Sequence, residues 1–244
     1  MTTPTSKDRT GLTTTQLRRL GGTALIAALP LQVVGFLVHP ATEELQGVVQ
    51  GAYGPAHLIL FLAWVLAMLG LPVLYAAQAD RAGKLGLVAF IGSMGATAYH
   101  LYLTLYEASA IPAVATHPAA DSLVGDGGAL THGAGALGPL AGVLLLAFPL
   151  MGVATLRAGV LPRIVGWLQI ACLPTFIVLM LGIGAVAGGE VGPEATNWIG
   201  GMLPIASLYW VLFAGYALGG RAVRTTDVPE TATVEPVGGT LRRS

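Results

Sequence analysis

The sequence predicts an all-α polytopic integral membrane protein: six transmembrane helices in a bundle, with both termini cytoplasmic. Three observations carry this. The 244 residues are 54% hydrophobic and 10% charged, with a mean hydropathy of +0.73, whereas soluble domains run at about 25% charged. Six apolar runs each approach the roughly 20 residues needed to cross a hydrocarbon core of about 30 Å. When these runs are threaded back and forth, all twelve Lys and Arg fall on one side.

Residues 1–17 are polar and Thr-rich, with too few apolar side chains to offset ordering entropy, and read as a disordered cytoplasmic tail. Arg18 and Arg19 precede the first span, residues 20–38. That run exceeds the 7–15 apolar residues of a signal peptide and ends in His39-Pro40 with no small-residue cleavage site. Residues 42–51 follow, with a Thr cap, acids in the first turn and a terminating Gly, which predicts a short helix on the membrane surface. The second span covers 57–78 and the third 85–107, joined by a turn at 79–84. A loop over 108–133 leads to the fourth span, 136–155, and the fifth covers 164–186. A Gly/Pro/Glu loop at 188–197 precedes the sixth, 198–218. The transmembrane domain therefore occupies 18–219, and 220–244 is a second disordered cytoplasmic tail.

Lys and Arg near span ends are retained in the cytoplasm. Lys7, Arg9, Arg18, Arg19, Arg81, Lys84, Arg157, Arg163, Arg221, Arg224, Arg242 and Arg243 all lie on one side, which makes it the inner one. Arg outnumbers Lys ten to two and Ala and Gly abound, a composition that reads as bacterial and places the chain in an inner (plasma) membrane. Zero net charge gives no reason to expect nucleic acid, so the expected partners are membrane lipids. Gly138 with Gly142, Gly184 with Gly188 and Gly215 with Gly219 have the spacing that lets helices approach closely, inside the bundle or in a homo-oligomer. The single cysteine, Cys172, lies in an apolar run and excludes a disulfide or a cysteine cluster.

No phosphate loop, dinucleotide fingerprint, nucleophile elbow or HExxH motif is present, so nothing marks the chain as an enzyme. The chemistry that remains is an asymmetry. All five histidines lie in the outer half of the membrane or beyond it, as do Glu43, Glu44, Glu107, Asp121, Asp126, Glu190 and Glu194. Such a face concentrates cations. At about 1.5 Å per residue, His39, His57, Glu107 and His132 reach one layer roughly 30–37 Å above the inner basic residues of their helices. Neutral imidazole and carboxylate suit Zn²⁺ or a similar ion, so these four are the candidate metal ligands, for a structural ion or for one that activates water against a lipid-like substrate in a membrane hydrolase.

His100 lies lower, at roughly 24 Å. With Thr104 it forms a second layer beneath Glu107 on the same helix face, and its simplest role is to donate a hydrogen bond to a carbonyl or hydroxyl of a neighbouring helix. Haem needs two ligands at similar depth, and the nearest other histidine is about 6 Å higher, which argues against haem. The acid-lined outer face also suits a binder or transporter of a small cation or amphipath. No carboxylate lies mid-membrane to couple such transport to protons. A scaffold role would rest on the long outer loop.

Overall fold

The computed structural model describes residues 12–41, 45–124, 130, 138–186, 199 and 202–225. Among these, all regular structure is helical: α1 (Thr14–Val38), α2 (Leu45–Val48), α3 (Tyr53–Ala76), α4 (Ala79–Ala115), α5 (Ala120–Leu123), α6 (Gly138–Leu145), α7 (Ala147–Ala158), α8 (Arg163–Val186) and α9 (Leu203–Thr225). Five of them, α1, α3, α4, α8 and α9, are long and apolar enough to cross a membrane.

Local chemistry fixes the ends. Thr13 caps α1 through a capping box, accepting from the Gln16 N–H at 3.1 Å while its own N–H donates to Gln16 Oε1 at 2.8 Å. The helix therefore begins four residues before Arg18 and takes up the end of the polar tail. Gly83, at φ 60° and ψ −162°, breaks α4 after its first turn, a conformation that only glycine adopts without strain. Beyond the break α4 runs on to Ala115, eight residues past Glu107, so the connection that follows begins with about two more turns of helix than the hydropathy boundary suggests. The fourth apolar run is interrupted at Leu146 between α6 and α7, and Ser93 of α4 donates to the Ala147 carbonyl beside the break at 3.4 Å.

The long helices close a ring in chain order. Each packs on its neighbours: α1 on α3, α3 on α4, α4 on α7, α7 on α8, α8 on α9, and α9 back on α1. Glycines set the closest approaches. A Cβ on Gly220 would lie 2.5 Å from the Gly22 carbonyl oxygen, and one on Gly152 would lie 2.5 Å from that of Gly166. Gly215 and Gly219 face α8 and Leu74 of α3, so this small-residue pair serves packing within the bundle, while Gly142 faces open space. Gly188 lies outside the described residues.

Trp64, Phe148, Leu71, Leu212, Phe213 and Tyr216 fill the ring's centre. The outer surface carries Leu181, Val143, Val88, Leu69 and Leu37 at 61–71% exposure, which is compatible with a lipid surround. At one end Arg19, Arg221 and Arg224 gather round a single pocket, and Gln78 Nε2 donates to Thr155 Oγ1 at 3.2 Å across α3 and α7. The histidines His39 and His57 lie at the opposite end, where α1 finishes and α3 starts.

Candidate functional site

At that opposite end three of the four predicted ligands meet. His39 directly follows the last residue of α1, His57 sits in the first turn of α3, and Glu107 lies on α4. His57 Nε2 is 3.3 Å from His39 Nε2 and 3.1 Å from Glu107 Oε2. The fourth, His132, lies outside the described residues, as do Glu43, Glu44, Asp126, Glu190 and Glu194.

The backbone shows that Nδ1 of both rings carries a proton. His39 Nδ1 is 2.8 Å from the Pro40 carbonyl and His57 Nδ1 is 3.0 Å from the Tyr53 carbonyl. A carbonyl oxygen only accepts, so each Nδ1 is the donor, and each ring, when neutral, keeps its lone pair at Nε2. Two lone pairs and a carboxylate oxygen then face one another. That arrangement repels itself unless something positive lies among the three atoms. His39 is itself a poor home for that charge: burial, then the proximity of His57, push its pKa down to about 4 against the opposing effect of the Pro40 bond. Tyr53 closes the site from the side, buried and with its ring centroid 4.3 Å from His57 and 5.7 Å from His39.

The three groups form a row with His57 in the middle. Among the described residues no three His, Cys, Asp or Glu side chains close into a group ready to hold a metal. The two adjacent separations, 3.1 and 3.3 Å, nevertheless match the edge of about 3.3 Å expected between ligands of a tetrahedral Zn²⁺ bound at roughly 2.0–2.1 Å.

Below the row the ring encloses a cavity of about 290 Å³. His39, His57 and Glu107 line its outer end, while Gln32, His100 and Thr104 lie deeper along α1 and α4. His100 and Glu107 are two helical turns apart, about 10.5 Å, and the cavity is the space that connects them. His100 Nδ1 donates to the Ala96 carbonyl at 2.7 Å, so Nε2 accepts from the Tyr209 hydroxyl of α9 at 2.6 Å. Its ring lies 4.4 Å from Trp64, centroid to centroid. Thr104 donates to the His100 carbonyl at 2.7 Å. The second layer thus joins α4 to α9, but His100 accepts across that interface and donates within its own helix, the reverse of the donor role expected of it between helices.

Sequence reasoning missed Tyr53, Trp64, Tyr209 and Gln32. Tyr53 resembles a lipid-facing belt aromatic until its neighbours are known. Trp64 and Tyr209 are ordinary aromatics in apolar spans. Gln32 left a signal, the one amide side chain in the first apolar run. Comparison of the chain with family models, with curated proteins and with solved structures gives no match.

Proposed function

We propose that this is a six-span protein of a bacterial inner membrane, with both termini cytoplasmic, that binds one divalent transition-metal cation at His39, His57 and Glu107 near its outer surface. The observation that carries the metal reading is the pair of Nε2 lone pairs, each aimed inwards by a backbone carbonyl bonded to Nδ1. Bonds of that kind orient and strengthen imidazole ligands at metal sites. Glu107 supplies the negative charge, and a water or a further side chain would complete the coordination. The interrupted α6–α7 segment supplies the sixth crossing. The gathering of Arg19, Arg221 and Arg224 at the opposite end supports the orientation.

Metal analysis after zinc reconstitution of protein purified in mild detergent tests the site. About one zinc per chain is expected, lost in the double variant His39→Ala, His57→Ala. Folded wild-type protein without stoichiometric metal would remove the metal reading. A second reading is favoured by the row geometry: a single proton makes His57 an imidazolium that donates to both His39 Nε2 and Glu107. Titration of the imidazole resonances without metal identifies it. Orientation is tested in a Cys172→Ser background with a membrane-impermeant maleimide on intact cells: Ser122→Cys should label and Arg81→Cys should not.

A further inference from the structure

The deep end of the cavity holds a group that neither the metal nor the packing uses. Gln32 is fully buried and lines the cavity, and neither its Nε2 nor its Oε1 has a hydrogen-bond partner among the described residues. A buried amide left unpaired on both atoms carries its full desolvation penalty, which a core position would avoid with Leu or Met. The surrounding walls are apolar and aromatic: Phe36, Leu60, Trp64, Leu103, Phe176 and Leu208.

We propose that the cavity binds a slender amphipathic molecule whose uncharged carboxamide or carboxylic acid end pairs with the Gln32 amide while its hydrocarbon body lies against these walls. One group satisfies both Gln32 atoms only if it carries a donor and an acceptor side by side, as a carboxamide or a protonated carboxyl does. A carboxylate is disfavoured because no Lys or Arg among the described residues lines the cavity and an unpaired buried anion is far more costly than a neutral group. The volume, about 290 Å³, is roughly ten times one water's share of liquid volume, which suits a chain of about ten carbons. This site lies beyond the cation row and does not depend on it.

The test uses full-length, zinc-free protein in lipid nanodiscs with two probes, decanamide and decanoic acid, each brominated on the chain to quench Trp64. Saturable quenching is expected in wild-type protein and is reduced by tenfold or more in affinity in Gln32→Leu. Trp64→Phe removes the quenched component. If the acid binds only at low pH while the amide binds throughout, the carboxamide is the group recognised at neutral pH. Comparable binding of both at pH 7 assigns a protonated carboxyl. Gln32→Leu removes an uncompensated polar group, so its unfolding temperature without probe should equal or exceed that of wild type, and only wild type should be stabilised by decanamide. Equal quenching in wild type and Gln32→Leu, or no saturable quenching in either, overturns the inference and leaves Gln32 hydrated. Failure of zinc binding has no bearing on these arms, so the two proposals fail separately.

Discussion

Replacing Glu107 with Gln keeps the shape of the side chain and one oxygen but removes its charge, and so measures what the carboxylate contributes to holding a cation. His57 is 3% exposed and Glu107 18%, with 3.1 Å between Nε2 and Oε2. Breaking a fully buried charged pair costs about 3–5 kcal/mol, and an exposed one about 1 kcal/mol or less. The partial exposure of Glu107 puts the loss between these, at about 2–3 kcal/mol, or roughly 30–150-fold in zinc affinity. Competition of the purified protein with a chromophoric chelator reads this directly. The unfolding temperature of the metal-free variant should not fall, because the Gln amide nitrogen can donate to the His57 Nε2 lone pair, which a carboxylate oxygen only repels. Zinc affinity within threefold of wild type would refute the assignment of Glu107 as a ligand.

Three further outcomes follow from the same geometry. His39 has an ordinary pKa of 6.5 when unfolded and about 4 in the folded chain; the unfolded state binds more protons between these values, so stability falls as pH drops from 6.5 to 4. Metal-free thermal melts should show that fall, and His39→Gln should flatten it. Gly220→Ala places a Cβ 2.5 Å from the Gly22 carbonyl oxygen and 2.9 Å from Leu25 Cβ, an overpacking that costs about 1–3 kcal/mol and lowers the melting temperature by several degrees, whereas Gly142→Ala, with nothing within 4 Å, should be neutral or mildly stabilising. Tyr209→Phe leaves the His100 Nε2 lone pair without its donor, at about 1–3 kcal/mol of stability, while zinc affinity holds to within twofold.

The apolar runs and the layer of His39, His57 and Glu107 were legible in the sequence, because run length and helical rise are one-dimensional quantities. What the rise cannot give is rotation about each helix axis or the order of helices round the ring. Tyr53 therefore reads as an interfacial aromatic although it packs on two histidines, and Gln32 reads as one polar residue in an apolar run although it faces the cavity. The end of α4 was misplaced for a related reason. Hydropathy marks where a bilayer ends, and residues 108–115 continue the helix beyond that point with Pro112 inside it. His100 sat at its own depth with no ionisable partner, and its partner proved to be a phenol, Tyr209, which a search for charged groups passes over.

The most direct test of the metal site is zinc K-edge X-ray absorption on the reconstituted full-length protein. The account predicts a shell of light N and O ligands at about 2.0–2.1 Å with the outer-shell scattering of two imidazoles, falling to one in His39→Gln. A shell of oxygen alone without imidazole scattering, or one unchanged in His39→Gln, would contradict it.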